Sequence, residues 1–573
     1  MKRNLSLLLT LVMVTSTILA FFGTALAASA SDWPEYLNLE NGDAYYPIVK
    51  EGMGDNIVLT MAITQPVNGG NWDDLWISKV YRDFMNINFE VEQILETALI
   101  DRRNLMLASN DLPDVMINLG LTTIDLMKYG FSDSLLMDLK PYLDEELMPD
   151  LMKLLAKRPD ALGAMTAPDG KIYSLTSVGS ADDEAAGVRL FTDQRWLKAC
   201  GLENPKTLDE FIDMLRAYKA ADVNNVGADQ VVPLAAGFEF GDPQHYIMNA
   251  FGWVTRLYAN NRSYDPALRN GEVELPVNNP EIFIEYLRVM KLLFDEGLLY
   301  KNFFITPADG TEVNGIVLEG RAGVYIQPIY VIGYDDWDQW IGLHPLTSAW
   351  HDTPEWPMQN ATNVGNFVLS AKNPYPELTL RFANSYYGAD ARMLWVGPMN
   401  GSEIAMGVSG VRWNEATRTE DFVQEGWPEG INDIWTYLMM VQGPMPQFAA
   451  TDLPENMAAY REKWLEAPPQ SLEKTFNLTN PDQFYRASLY ENSAPYFTTS
   501  FPGVYYLDEE TVARMDDLRA VIKPYVDEAF AQFVTGIRSL DEFDAFQAEL
   551  KSMGIDDLEA IYKQIWEDYK KAQ

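Results

Sequence analysis

APDGKIYSLTSVGSADDEAAGVRLFTDQRWLKACGLENPKTLDEFIDMLRAYKAAD, residues 167–222, is the stretch from which the rest of the chain is read. Pro168 presets φ, Asp169 can bond nearby backbone and Gly170 tolerates positive φ, so the three predict a turn. Residues 171–177 then read as a strand. Thr207-Leu208-Asp209-Glu210 is a capping box, and Phe211, Leu215 and Tyr218 follow at helical spacing, so an amphipathic helix is expected from Thr207. One passage thus supplies a turn, a candidate hinge strand and a docked helix.

Upstream, residues 56–64 alternate apolar side chains and predict the first strand, followed by a Gly- and Pro-containing loop over 65–73. A helix over 76–84, a strand over 89–94, a helix over 98–108 and a strand over 113–117 follow, the strand–helix alternation of an α/β layer. Ligands of such sheets sit beyond the carboxyl ends of the strands. Downstream, helices are expected over 208–220 and 279–297, and strands over 322–326 and 363–370. A helix over 376–387 comes next, and helical structure follows Tyr506. There Ser539-Leu540-Asp541-Glu542 forms a second capping box, with Phe543, Phe546 and Leu550 as an apolar face.

Several motifs share an order along the chain. Pro168-Asp169-Gly170-Lys171-x-Tyr173 comes before Asp193-x-x-Trp196-Leu197, Gly201-Leu202 and Pro205-x-Thr207-Leu208-Asp209-Glu210-Phe211. Leu112-Pro113-Asp114-Val115 precedes them, and Gly320-Arg321-Ala322-Gly323-Val324 follows. Phe533-Val534-Thr535-Gly536, Leu540-Asp541-Glu542-Phe543 and Met553-Gly554-Ile555 close the chain. In this order they resemble the extracellular solute-binding proteins of family 1, the maltose-binding-protein-like receptors of ABC sugar importers, and the end resembles their lipoprotein-like oligosaccharide-binding branch. The resemblance implies a two-lobed α/β periplasmic-binding-protein-like fold of type II, with a ligand cleft between lobes joined by a multi-strand hinge. Its division would be a signal peptide over 1–27, an exposed N-terminal leader over 28–54 and the first part of lobe 1 over 55–177. Residues 178–362 would be the first part of lobe 2. Residues 363–573 would return to lobe 1, make a further crossing and end in the C-terminal helices.

Lys2 and Arg3 form a basic n-region, residues 7–22 an apolar h-region, and Ala25-Leu26-Ala27 a cleavage site, which predicts export with Ala28 as the mature start. Many relatives carry a lipid-modified cysteine after the apolar run; here the only cysteine is Cys200, which reads as a helix-packing residue. A soluble periplasmic receptor, a free secreted protein and a retained anchor therefore all stay open. A length of 573 residues calls for at least two domains or lobes. The formal net charge of −40 repels nucleic acid and anionic lipid and disfavours polyanionic ligands, although a local basic pocket could survive. No nucleic-acid partner is expected, and a monomer is expected of this receptor type.

Catalytic signatures are missing: there is no H-E-x-x-H, G-x-x-x-x-G-K-[ST], G-x-S-x-G or G-x-G-x-x-G. His245, His344 and His351 have no zinc-site spacing, and 83 acidic residues make any carboxylate pair uninformative. No cofactor is expected. Residues 222–233, DVNNVGADQVVP, occupy the place of a calcium loop in many relatives. Asp222 and Asn224 match two of its ligands, Val226 stands at a third, and two side chains cannot supply six to eight oxygens, so calcium binding is expected to be lost.

Fifteen Trp, 29 Tyr and 26 Phe can supply flat platforms for the C–H face of a sugar ring. The ligand-binding candidates are Trp72 and Asp73 after the first strand, Asn118 after the Pro-Asp-Val strand, Trp253 in the second lobe, and Gln327 with Tyr330 beyond the Gly-Arg-Ala-Gly strand. Trp413 and Trp427 complete the set, and for each of these positions core packing is an equal alternative. The expected function is the non-catalytic capture of an oligosaccharide and its delivery to ABC permease subunits. A secreted glycoside hydrolase acting through paired carboxylates is the alternative and an adhesion protein a third reading. A peptide ligand also stays open.

Overall fold

The computed structural model describes residues 33–41, 45–54, 56–65, 71–74, 78, 80–157, 159–178, 190–256, 261–326, 331–357, 362–387, 409–414, 419–424 and 492–572. Strand β1 (Val58–Gln65) pairs in parallel with β2 (Asn88–Leu95) along its whole length and with β3 (Val115–Ile117). The turn at Gly170, whose φ is +81°, leads to β4 (Leu175–Val178). Its Asp169 accepts a 2.6 Å bond from the Tyr173 hydroxyl, which ties the turn to the chain that follows. The chain later returns as β11 (Thr362–Leu369) between β3 and β4, antiparallel to both, so the sheet order is β2-β1-β3-β11-β4.

Both faces of this sheet are covered, and the alternation of side chains sorts them. Leu59, Met61, Ile63, Val115, Ile117, Phe367 and Leu369 enter one core, while Ala62, Met116 and Val368 enter another on the opposite face. Strands buried on both faces read as continuous apolar runs, which is how residues 115–117 and 367–369 appear in the sequence.

The leader departs from its expected exposure. Leu37 is 1% exposed, Ile48 0% and Val49 0%, all in the first of these cores. Arg381, itself 0% exposed, ties part of the segment down: its guanidinium donates to the carbonyls of Asn38 (3.0 Å), Glu40 (2.5 Å), Glu146 (3.1 Å) and Leu147 (3.2 Å). It also lies 4.1 Å from the Tyr45 ring centroid. Within the expected 76–84 helix the described residues form a wide helical turn over Val80–Phe84, and a separate tight turn, Trp72–Asp74, precedes it.

A third, larger core belongs to the second lobe. Its sheet places β5 (Phe191–Asp193) between β8 (Val324–Tyr325) and β9 (Trp340–Gly342), antiparallel to both. The Leu208–Ala221 helix starts as read, with the Thr207 hydroxyl accepting from Glu210 N–H (3.2 Å) and the Glu210 carboxylate accepting from Thr207 N–H (3.1 Å). Hairpin β6 (Ala267–Arg269) and β7 (Glu272–Glu274) turns at Asn270-Gly271, with φ of +53° and +79°, the conformation a two-residue type I′ turn requires. The C-terminal helices Glu509–Thr535, Phe543–Ser552 and Ile555–Ala572 pack on this lobe: the Phe530 ring stacks on Tyr286 at 6.1 Å, and Phe546 lies against Phe283. Strand β10 (Trp356–Pro357) pairs in parallel with β14 (Phe497–Thr498), and β12 (Ser409–Asn414) with β13 (Thr419–Gln424) forms a separate hairpin. Among the described residues no helix is long and apolar enough to cross a membrane.

Candidate ligand cleft

The carboxyl ends of β1, β2, β3 and β4 lie on one edge of the first sheet, and β11, running the other way, begins there. At this edge Asn118 takes a left-handed φ of +54°, donates its N–H to Asn366 O (2.8 Å) and accepts the Thr64 hydroxyl on its carbonyl (2.6 Å). Thr122 and Asp125 form a reciprocal capping box that holds Thr123 and Ile124 at the same edge. Gly365 distorts β11, where the pairing register with β4 shifts between Asn363 and Phe367. Its φ is +86°, its N–H donates to the Ser174 hydroxyl (2.7 Å), and a Cβ there would run into the Leu121 carbonyl. No other residue type fits that backbone without strain.

Opposite stands a wall fixed to the second lobe. It consists of Gly503, Val504, Tyr505 and Leu507 with the start of the Glu509–Thr535 helix, whose N-cap Asp508 accepts from Thr511 N–H (2.8 Å). Between this wall and Thr123, Ile124, Asn363 and Val364 is a cavity of about 350 Å³. Its lining mixes hydroxyl, amide, carboxylate and phenol groups with aliphatic walls, the chemistry that orients a polyhydroxylated ring. Tyr505 and Tyr506, adjacent in the chain, pack on different lobes: Tyr505 on the large core, Tyr506 on the core under β3 and β11.

Tyr505 also lines a second cavity of about 240 Å³, with Arg256, Asn261, Tyr264, Asp265, Pro266, Phe501, Arg519, Lys523 and Tyr562. Arg519 reaches Asp265 at 3.4 Å and donates to the Tyr562 hydroxyl at 3.1 Å. Burial raises the Asp265 carboxyl above the ordinary carboxylate range, against the opposing pull of Arg262 N–H and of the Arg519, Arg262 and Lys523 charges. The loop carrying these residues is held from below by Arg262, 5% exposed, which pairs with the equally buried Asp242 and stacks 3.8 Å from the Phe238 ring centroid.

The sequence-derived candidates fall into three groups. Asn118 lies at the sheet edge, and exposed Asp73 follows β1. Two expectations need correction. The Trp72 ring, 6% exposed, packs in the lobe-1 core 5.7 Å from Tyr81, and the residue's backbone N–H donates to the Gln93 amide oxygen at 2.8 Å. Trp253 is 0% exposed, covered by Phe251 and Tyr286, and its indole N–H donates to Glu274 at 3.0 Å, so it presents no face to a ligand. Gln327, Tyr330 and Trp427 lie outside the described residues, as does the Trp413 side chain in β12. Sequence reading missed Thr123, Asn363, Tyr505 and every member of the cationic cavity. These come from four or more separate segments, and no local spacing links them.

At the degenerate loop, the two oxygens of Asp222 accept from Val226 N–H and Gly227 N–H, both at 2.9 Å. Asn224 donates to Gly320 O at 2.8 Å. The side chains that match calcium ligands thus close the loop on itself and on its neighbour, and Val226 packs against the large core. This arrangement does not fit a hard cation's need for oxygens converging on one point.

Comparison with known proteins bears on what such a cleft belongs to. The fructooligosaccharide ABC transporter substrate-binding protein FusA of Streptococcus pneumoniae is 30% identical over 210 residues, 36% of this chain and 38% of that protein. Lipoprotein LipO of Bacillus subtilis is 27% identical over 256 residues, 43% of this chain and 45% of LipO. The alignments thus span less than half the length of these curated relatives. Among solved structures, an HMO-binding, ABC-transporter-associated solute binding protein from Bifidobacterium longum infantis superposes with a TM-score of 0.64 at 18% identity, covering 90% of this chain and 99% of that one. This likeness agrees with two α/β lobes around a cleft. The bacterial extracellular solute-binding protein family matches residues 69–393, more than half of the chain, and the protein belongs to that family.

Proposed function

We propose that this protein is the extracytoplasmic receptor of an ABC importer, capturing an oligosaccharide between its lobes and delivering it unchanged to membrane permease subunits. The observation that carries the reading is the cavity of about 350 Å³ walled by β11 on one side and the Tyr505 segment on the other. A ligand there touches groups anchored in both lobes, and a ligand shifts a conformational equilibrium only through such differential contacts. The name of FusA supports both the receptor role and a saccharide ligand. Asn118 and Asp73 are proposed as sheet-edge contacts for ligand hydroxyls. The chain works as an exported monomer, with the first 27 residues removed as a signal peptide.

The test is native mass spectrometry of the protein starting at Ala28, incubated over time with a defined pool of plant and bacterial oligosaccharides. Retention of one intact saccharide, with depletion of its free form, is the expected result. Accumulating cleavage products would overturn the receptor reading in favour of a glycoside hydrolase.

A further inference from the structure

The 240 Å³ cavity has a charge opposite to that of the molecule. Around it stand three cations, Arg256, Arg519 and Lys523, and one carboxylate, Asp265, in a chain whose formal net charge is −40. Arg519 is partly neutralised by Asp265. Arg256 and Lys523 have no carboxylate within ion-pairing distance among the described residues, and the bond that Asn261 donates to Arg256 falls on its backbone carbonyl. Two cationic groups facing one recess, in a chain with 83 acidic side chains, are an arrangement that folding alone does not require. Asp265 acts on both Arg519 and Lys523, and Asp527 also acts on Lys523, so the single carboxylate of the recess offsets its three cations only in part.

Aromatic rings frame the recess, and of these Tyr505 is the half-buried one, whereas Phe501 and Tyr562 are 1% exposed and Tyr264 4%. Phe501 meets Tyr505 at 6.0 Å and Tyr562 at 5.6 Å, both edge-to-face, and Tyr264 closes the side with its hydroxyl 3.3 Å from Asp527. An inorganic ion has no use for the Tyr505 ring, whereas a sugar does: its C–H face can lie on that one ring while an acidic substituent reaches the guanidinium fork, which matches carboxylate geometry. The shared Tyr505 places this recess beside the larger cavity, so one ring of a bound chain can occupy each.

We propose that the pocket of Arg256, Arg519 and Lys523 is a subsite for the carboxylate of a uronic sugar, making the captured saccharide an acidic one. This rests on the carbohydrate-receptor reading above and narrows its substrate class. Arg256 supplies the fork, Lys523 a point charge from the Glu509–Thr535 helix, and Arg519, held by Asp265 and Tyr562, the fixed third contact. The global negative charge repels polyanions at long range, so selectivity for acidic rings depends on this one local reversal of sign.

The experiment is isothermal titration calorimetry of the intact mature protein with three probes: trigalacturonate, its methyl ester, and the neutral trisaccharide kestose. Inorganic sulfate serves as a competitor. The expected result is acid binding at least tenfold tighter than ester binding. Arg256→Gln should remove that preference while leaving the weaker ester affinity within twofold. Lys523→Gln, at an exposed position, is the second variant should the first fail to fold, and it should reduce the preference at least threefold. Equal affinity for acid and ester, or a variant that weakens both alike, would overturn the proposal. Sulfate displacing trigalacturonate at equal concentration would reassign the pocket to a free inorganic anion. Binding of kestose with no response to the uronate sinks the subsite and leaves the receptor reading standing, whereas silence with all three sugars counts against both.

Discussion

Replacing Arg381 by Leu removes a buried cation that holds four backbone carbonyls and, among the described residues, has no carboxylate within ion-pairing distance. Burial lowers the pKa of this guanidinium, a sign that its charge is poorly solvated where it stands. The substitution therefore relieves a desolvation cost while it abandons four acceptors. Each carbonyl left unsatisfied costs about 1–3 kcal/mol. Those of Asn38 and Glu40 can regain water if the leader lifts, whereas that of Leu147, a residue 0% exposed, is less able to. Contact with the Tyr45 ring adds up to about 2 kcal/mol when desolvated. Setting the relieved cost against these losses leaves a net destabilisation of about 2–4 kcal/mol, concentrated on the leader. At roughly tenfold per 1.4 kcal/mol this amounts to a rise of about 30-fold or more in local opening. Hydrogen exchange read by mass spectrometry should show it at the amides of Asn38, Ile48 and Val49, which are bonded to Ile48 O and Met85 O. Strand β5, in the other lobe, should keep its protection. Unchanged exchange in the leader, with stability lost evenly through the molecule, would refute the idea that Arg381 acts as its anchor.

Three further outcomes are expected. Gly365→Ala forces a side chain onto a φ of +86° and into the Leu121 carbonyl, so a loss of about 2 kcal/mol or more in urea unfolding should accompany weakened ligand binding; full stability and affinity would contradict the geometry. Arg262→Met leaves Asp242 buried and unpaired and should cost about 3–5 kcal/mol, while adding Asp242→Asn to it should restore much of the loss, a recovery that thermal denaturation of the two variants would reveal. The third concerns pH. Because the Asp265 pKa is raised in the folded protein, its proton is bound more tightly there than in the unfolded chain, so this group favours folding at low pH and withdraws that support as pH rises through its folded pKa. The groups facing it are Arg262 on its own loop, Tyr505, Tyr562, and Arg519 with Lys523 on the C-terminal helix. Protonation deletes the one negative charge in the cavity, so affinity for trigalacturonate should rise as pH falls through the raised Asp265 pKa. Asp265→Asn should hold that higher affinity at all pH values, and a pH response retained in this variant would place the titrating group elsewhere.

Much of the fold was legible because it is local. The capping box at Thr207, the turn at Gly170 and the apolar run over residues 115–117 each state their structure within a few residues, and each forms as read. Two kinds of information were out of reach. The leader was expected to be exposed, and its Leu37, Ile48 and Val49 find their places only through distant partners, the Met85 carbonyl and, more than 330 residues away, Arg381. An aromatic ring carries no mark of which side of a wall it faces. Trp253 reads as a platform until Phe251, Tyr286 and Glu274 are seen to enclose it. Conversely, the cavity cations are ordinary Lys and Arg until folding brings Arg256 and Lys523 together.

Tyr505 and Tyr506 serve two cores from neighbouring positions. The peptide unit between them is planar and stiff, so the relative direction of their side chains is set by only the two soft torsions that flank it. A swing of the lobes cannot be absorbed along a slack linker at this point; it has to appear as torsion within one dipeptide, at the mouth of both cavities. The pair therefore behaves as a strain gauge built into the chain. A fluorinated tyrosine at position 506, sensed by ¹⁹F NMR, should register occupancy of the cationic recess that Tyr505 alone lines, although position 506 touches none of it.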